Sequence, residues 1–253
     1  TSSNKTNPFF FLCEDGAGEF FGRCYGCNLI YSGSFEGSAE LSTMGFVRLM
    51  EGVQSDGFSW PLRPGERFDA PWGVLTCSDA GKNGMSQNMH RFIKGHILPP
   101  AFAEAERPVV LNNWEATYHD FNERRLLRLA RQAAAVGVEH FVLDDGWFGA
   151  RDSDRAGLGD YAVNRKKLPG GLAGLAEKIN ALGMEFGLWM EPEMVNRDSD
   201  LYRAHPDWAV AVPGVEPSEG RNQLVLDLCR AEVRDYIVEQ VVATIRSANI
   251  KYV

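Results

Sequence analysis

The feature that most constrains this chain is a pattern that recurs after Pro108: a short apolar run, a polar and aromatic cluster, and then a helical segment. The apolar runs are predicted strands, at residues 109–111, 140–143, 186–189 and 250–253. The predicted helices between them extend from the N-cap Asn122 to the stop at Gly137, then over 172–182 and 233–245. Short apolar strands that alternate with helices are typical of a parallel sheet with helical crossovers.

Two parallel architectures fit this pattern, a doubly wound sheet and a (β/α)8 barrel. A dinucleotide- or nucleotide-binding sheet would carry glycines after its first strand, and the chain has no G-x-G-x-x-G or Walker motif. The first three strands instead end in carboxylate, amide or aromatic residues. This favours the barrel, whose active site forms at the C-terminal ends of its strands. About half of the barrel strands fit in the chain, so we expect the first half of a TIM barrel.

The residues before this region predict a different class of fold. Short apolar and aromatic runs alternate with glycine turns, and the predicted strands are 18–21, 25–31, 39–41, 45–50 and 73–77. Strands of this length with regular turn signals are typical of a β-sandwich. We therefore assign residues 1–84 to the C-terminal part of an N-terminal β-sandwich, 85–107 to a linker with a helix over 85–97, and 108–253 to the half-barrel.

Composition and charge exclude several function classes. The chain has 253 residues and a formal net charge of −8, with no basic block, so nucleic acid and anionic membranes are poor partners. No stretch of about 20 apolar residues occurs, and the N-terminus lacks the pattern of a secretion signal. The five cysteines are scattered, the C-x-x-C of Cys24 and Cys27 has no second pair, and the histidines lack metal-ligand spacing. We expect a cytoplasmic protein with reduced thiols, no metal and no cofactor.

Three strand ends carry the residues that can do chemistry. They read Asn-Asn-Trp-Glu-Ala-Thr at 112–117, Asp-Asp-Gly-Trp-Phe-Gly at 144–149 and Trp-Met-Glu-Pro-Glu-Met at 189–194. A flat aromatic face can cover the apolar face of a sugar ring, and adjacent carboxylates can accept hydrogen bonds from neighbouring hydroxyls. This set suits a neutral polyol. Other interpretations stay open: Asp144 could cap the next helix, Glu191 and Glu193 could hold loops, and Arg221 could be a solvated loop charge.

These strand ends, with Tyr25-Gly-Cys-Asn-Leu-Ile-Tyr-Ser-Gly33, 58–66 and 84–89 upstream, resemble those of the glycoside hydrolase family 36 α-galactosidases. The resemblance implies retaining hydrolysis of terminal α-galactose with two catalytic aspartates. It also implies that five residues of this chain contact the sugar: Trp114, Asp144, Asp145, Trp189 and Arg221. The family's nucleophile follows a stretch like 250–253 and its acid/base lies further on, so we expect neither catalytic residue within this chain.

The resemblance predicts an α-galactosidase that acts on galactose-containing oligosaccharides of the melibiose and raffinose type, as a homo-oligomer such as a tetramer. We expect the 253-residue chain to carry part of the galactose pocket and to be inactive alone. Two alternatives stay open, a galactosyltransferase of the raffinose-synthase type and a non-catalytic carbohydrate-binding or assembly fragment.

Overall fold

In the computed structural model, which describes residues 5–253, the chain divides into two units, Thr1–Glu106 and Arg107–Val253. Each unit has its own sheets. The first unit contains antiparallel strands, whereas the main sheet of the second is parallel.

The first unit consists of two antiparallel layers. Its strands are β1 (Phe9–Cys13), β2 (Cys24–Ile30), β3 (Phe35–Leu41), β4 (Val47–Val53) and β5 (Trp72–Ser78). Strand β2 lies between β1 and β5, and β3 pairs with β4 in a separate hairpin. Leu12 and Leu75 of the three-stranded sheet line one cavity together with Val47 and Leu49 of the hairpin. The two layers therefore face each other, as expected for part of a β-sandwich.

The predicted strand over 18–21 is wrong, because these residues form a turn. The N–H of Gly18 donates to the carbonyl of Phe21 at 2.9 Å, and Gly22 follows with a φ of 86°. Phe20 is 73% exposed and Phe21 is 64% exposed. The aromatic composition suggested a strand, but no neighbouring strand pairs with these residues in the described part of the chain.

The helix predicted over 85–97 begins earlier and changes its winding. Helix α1 (Gly81–Phe92) buries Met85 and Met89, as the sequence pattern predicts, and continues into a π-helical turn at Ile93–Ile97. A π-helical turn has wider hydrogen-bond spacing, so it rotates later side chains away from the α-helical face. Ile93 and Ile97 are exposed, although their four-residue spacing from Met89 would place them on the buried face of a regular α-helix over 85–97. The short helix α2 (Pro100–Ala103) follows.

The second unit is built on a four-stranded parallel sheet, and a separate antiparallel pair accompanies it. The strands of the unit are β6 (Val110–Asn112), β7 (His140–Leu143), β8 (Glu185–Leu188), β9 (Met194–Asn196), β10 (Gln223–Val225) and β11 (Ile250–Tyr252). Its helices are α3 (Trp114–Thr117), α4 (Glu123–Ala135), α5 (Gly171–Asn180), α6 (Asp200–Ala204) and α7 (Ala231–Arg246). The parallel sheet has the order β6-β7-β8-β11, without the reversal of a doubly wound fold. The prediction of the first half of a (β/α)8 barrel is confirmed.

Helix α4 shows how local sequence signals position the crossovers. The side chain of Asn122 accepts a hydrogen bond at 3.0 Å from the backbone N–H three residues further on, and so caps the helix. Leu126, Ala130 and Ala133 lie on the buried face. After the helix, Gly137 adopts a φ of 86°, a conformation that favours glycine, and the chain turns towards β7.

The segment between β8 and α7 contains a strand that the sequence did not predict. Strand β9 pairs antiparallel with β10. A small core supports this pair, and its buried members are Val195, Leu201, Trp208, Ala209, Leu224, Leu226 and Val233. The β9–β10 pair is therefore an extension with apolar packing of its own.

Candidate functional site

The predicted site residues follow three parallel strands at the same edge of the sheet. Asn112 is opposite Val142, and Leu143 is opposite Leu188 in the strand register. The residues after β6, β7 and β8 therefore emerge side by side, at the edge where a barrel enzyme has its active site.

Asp144 is linked to the end of the neighbouring strand. The side chain of Asn112 donates to Asp144 Oδ2 at 2.5 Å and accepts from the backbone N–H of Trp114 at 2.7 Å. The buried Asn113 accepts from the backbone N–H of Asp144 at 2.8 Å. The next helix, α5, begins only at Gly171, so Asp144 is not its N-cap, and the capping alternative is wrong. This amide network instead fixes Asp144 beside Trp114.

Asp145 is buried and engages two basic side chains. Its Oδ2 accepts from Arg151 Nη2 at 2.8 Å, its Oδ1 accepts from Arg151 Nε at 2.9 Å, and His119 Nε2 lies 3.3 Å from Oδ2. Burial by itself would raise the pKa of Asp145, but the hydrogen bonds from His119 and Arg151 outweigh burial and hold that pKa below its ordinary value. Asp145 is therefore a fixed negative charge.

The two tryptophans lie on either side of these aspartates along the sheet edge. The Trp114 ring is half-buried and meets His119 edge-on, with ring centroids 5.0 Å apart. The backbone N–H of Trp189 donates to Leu143 at 2.8 Å, and its carbonyl accepts from the buried Trp147 indole at 3.0 Å. Trp189 is therefore the first residue after β8, which pairs with β7, the strand that precedes the two aspartates.

Arg221 lies in a tight turn and is exposed. Arg221 and Asn222 have φ values of 52° and 62°, and Gly220 and Gln223 exchange backbone hydrogen bonds of 3.1 and 2.9 Å. Two successive residues in the left-handed region define a type I′ hairpin turn. Left-handed backbone is costly for an arginine, and such strain is characteristic of functional positions.

Glu191, which lies after strand β8, is linked to the turn that carries Arg221. Gln223, directly after the turn, donates from its side chain to Glu191 at 3.1 Å. Burial and the neighbouring Glu193 raise the pKa of Glu191, while the positive charges of Arg221 and Arg151 oppose that shift. Glu191 therefore holds a loop, as one sequence interpretation proposed, and lies close enough to both arginines to respond to them.

Two residues of this region, Arg151 and Asn196, are fully buried and were not predicted from the sequence. Both connect strand ends through hydrogen bonds to side chains or backbone groups. Arg151 lies six positions after Asp145 in a loop, where no periodicity marks it as buried. The loop also contains Asp152, Asp154 and Arg155, so the residue type of Arg151 gave no signal either.

The described residues provide no group for metal binding. In the range 5–253, no cluster of three or more histidine, cysteine, aspartate or glutamate side chains is placed to hold a metal ion. Cys24 and Cys27 lie three positions apart on β2, and thus on opposite faces of the strand. Over the same range, the helices are too short or too polar to cross a bilayer.

A half-barrel with tryptophan and paired aspartates at the C-terminal ends of its strands has the residue types that suit a glycoside hydrolase. Residues 67–253 match the family model Melibiase, and residues 1–63 match the glycosyl hydrolase family 36 N-terminal domain. The chain belongs to this family, glycosyl hydrolase family 36.

Individual relatives support the same assignment. The chain is 51% identical over 252 residues to alpha-galactosidase AgaA of Geobacillus stearothermophilus, covering 100% of this chain and 35% of that protein. It is 45% identical over 253 residues to alpha-galactosidase Mel36A of Lactobacillus acidophilus, again covering 100% of this chain and 35% of the relative. A crystal structure of an AgaA variant in complex with raffinose superposes with a TM-score of 0.94 at 50% identity, covering 97% of this chain and 34% of that one. The chain spans about a third of the length of these relatives.

Proposed function

We propose that this chain is part of an α-galactosidase that removes terminal α-linked galactose with retention of configuration, and that it supplies one side of the galactose pocket. The observation that carries this proposal is the hydrogen-bonded group of Asn112, Asp144 and Trp114 at the ends of two parallel strands. Relatives named alpha-galactosidases, and AgaA variant structures in complex with raffinose and stachyose, support galactose-containing oligosaccharides as substrates.

Each predicted sugar contact has a role in this proposal. Trp114 and Trp189 cover apolar faces of the ring, as flat aromatic side chains do. Asp144 and Asp145 accept hydrogen bonds from hydroxyls and favour galactose through its axial 4-hydroxyl. Arg221 contributes a positive charge and donors from the tip of its turn.

The aspartate pair is suited to binding and not to the bond-breaking steps. A retaining glycosidase uses two carboxyl groups about 5–5.5 Å apart, on opposite sides of the scissile bond. Asp144 and Asp145 are adjacent, and the backbone N–H of Asp145 donates to Asp144 Oδ1 at 2.7 Å. Two adjacent residues at one strand end cannot flank the glycosidic bond. In our proposal the nucleophile and the acid/base lie outside residues 1–253.

The remaining sequence predictions form part of the same proposal. Residues 1–84 are the end of the N-terminal domain, 85–107 are the connection, and 108–253 are the first half of the catalytic barrel. The whole enzyme acts as a cytoplasmic homo-oligomer, such as a tetramer, in carbohydrate metabolism. The net charge of −8 fits a neutral sugar substrate better than nucleic acid or an anionic membrane.

The test is a chimera in which this chain replaces the homologous third of AgaA, because the 51% identity spans the whole chain. We expect the chimera to hydrolyse p-nitrophenyl-α-galactoside and to leave the α-glucoside nearly untouched. Trp114→Ala should raise KM strongly, whereas Trp114→Phe, which keeps a flat face, should raise it less. A folded chimera that cleaves both glycosides equally would refute the proposal.

A further inference from the structure

Arg151 has the surroundings of a residue that positions other groups. Its guanidinium is fully buried and donates to both oxygens of Asp145. Its remaining nitrogen, Nη1, donates to the side-chain oxygen of Asn196 at 2.8 Å and to the carbonyl of Ala156 at 3.2 Å. The forked guanidinium therefore fixes the direction of the Asp145 carboxylate and continues to a second buried side chain.

Asn196 extends this connection to the Arg221 turn. It is fully buried on β9, and its Oδ1 accepts from Arg151 and from the backbone N–H of Leu158, at 2.8 and 2.9 Å. Its Nδ2 donates to the carbonyl of Asn222 at 2.7 Å and to that of Asp154 at 3.1 Å. All four hydrogen-bonding positions of the amide are used, so its orientation is determined.

The result is a continuous buried path from one predicted sugar contact to another. It runs from Asp145 through Arg151 and Asn196 to the backbone of Asn222, next to Arg221. Fully satisfied polar networks of this kind are rigid, because a buried polar group that loses its partner is costly. The hydrogen bond from Asn196 to Asn222 connects the strained left-handed turn at Arg221 to this network and holds it in place.

We propose that Arg151 and Asn196 are positioning residues that fix the Asp145 carboxylate and the Arg221 turn relative to each other, and thereby set the selectivity of the pocket for the galactose 4-hydroxyl. This inference rests on the proposed function. Oδ1 of Asp145 has its one described hydrogen bond from Arg151 Nε, and a carboxylate oxygen can accept a second, from a sugar hydroxyl. A site that offers a precisely placed acceptor rejects an analogue without the matching hydroxyl.

The first experiment compares Arg151→Met and Arg151→Lys with the parent AgaA chimera. We expect Arg151→Met to lower kcat/KM for p-nitrophenyl-α-galactoside about 100-fold, the scale that misplacement by about 1 Å produces. The ratio of kcat/KM between the galactoside and its 4-deoxy analogue should also fall. Arg151→Lys keeps the positive charge but loses the forked geometry. Its kcat/KM should therefore lie between that of the parent and that of Arg151→Met. Arg155→Met, at an exposed arginine of the same loop, is the matched control and should equal the parent.

The second experiment tests the connection to the turn by a double-mutant cycle. Asn196→Asp keeps the acceptor for Arg151 but removes the donor to Asn222, and should raise KM more than it lowers kcat. In the Arg221→Ala background the same change should have little further effect on KM, because the group that it positions is gone. A purely structural role would give the same loss in both backgrounds.

The outcomes distinguish a failure of the proposed function from a failure of this inference alone. A folded but inactive parent chimera overturns the proposed function, and this inference with it. An active parent whose folded Arg151→Lys and Asn196→Asp variants keep the parental galactoside to 4-deoxygalactoside ratio overturns the inference alone. Circular dichroism and thermal unfolding of each variant identify those that do not fold, and the Arg151→Lys and Asn196→Asp arms then decide the question.

Discussion

At the scale of single residues, the buried charges of the second unit define how the site depends on pH. The pKa of Asp145 is held below its ordinary value by His119 and Arg151, so the folded chain favours the ionised form. A carboxyl group with a lowered folded-state pKa contributes stability above its unfolded pKa of about 3.9, and that contribution is lost as the pH falls towards the folded value. The ion pair thus stabilises the fold at neutral pH and weakens in acid.

The corresponding variant is Asp145→Asn, which leaves Arg151 buried without a countercharge. We expect it to lower the free energy of unfolding by about 3–5 kcal/mol at pH 7, the range for breaking a buried pair. The difference between wild type and variant should shrink below about pH 4. Urea unfolding of the chain at pH 7 and pH 3 measures it, and an equal difference at both values would contradict the assignment.

Lys167 is a partly buried charge with a structural task. Its ammonium donates to the carbonyls of His119, Gly146 and Arg151 at 3.0, 2.9 and 3.2 Å, and its side chain is 12% exposed. Lys167→Met leaves these carbonyls without that donor, and we expect it to destabilise the chain by about 3 kcal/mol. Lys166→Met, at the exposed neighbour, is the matched control and should change stability by less than about 0.5 kcal/mol in the same urea titration.

The sequence locates residues that directly follow a recognisable strand, and it does not locate residues that depend on distant partners. Asp144 and Trp114 follow apolar strands, and the structure links them through Asn112. Arg151 and Asn196 depend on partners 45 residues apart in sequence, which no local pattern records. Which of the predicted residues contact the sugar stays a prediction for the experiments above.

At the scale of secondary structure, the helices and strands that were predicted in the second unit lie within two residues of the observed bounds, whereas the short helices α3 and α6 were not predicted. The Asn122 cap and Gly137 bound α4, and short apolar runs mark β7 and β8. Strand β9 was missed because it is short and follows Pro192, and its pairing with β10 is a tertiary contact. The π-helical turn after α1 was missed because it preserves the apolar residues and changes only their direction.

The cap of α4 gives a prediction at this scale. Asn122→Ala removes the side-chain acceptor of the backbone N–H of Arg125 and should lower the free energy of unfolding by about 1 kcal/mol. Gln132→Ala, at an exposed position of the same helix, should be neutral or slightly stabilising because alanine has the higher helix propensity. Equal effects of the two substitutions in urea unfolding would show that the cap contributes nothing.

At the scale of the whole molecule, the sequence order of the strands decides the architecture. The order β6-β7-β8-β11 is that of a barrel wall built strand by strand, and the sequence predicted it from the absence of phosphate-binding glycines and from polar strand ends. The fold class could therefore be predicted, whereas the antiparallel β9–β10 extension could not.

The molecular-scale prediction concerns catalysis by the chain alone. Purified 253-residue chain should show no turnover of p-nitrophenyl-α-galactoside above the uncatalysed rate, because the two aspartates lie side by side and cannot flank the bond. The AgaA chimera, assayed in parallel, is the positive control. Measurable hydrolysis by the isolated chain, abolished by Asp144→Asn, would refute this interpretation.

The β9–β10 pair is held from two sides. It carries the Arg221 turn, and it has its own apolar cluster around Trp208 and Leu224. Met194, at the start of β9, also packs against the core beneath the parallel sheet, and Asn196 hydrogen-bonds to Arg151. A change in this pair is therefore transmitted to the end of β7, so the turn and that strand end cannot vary independently.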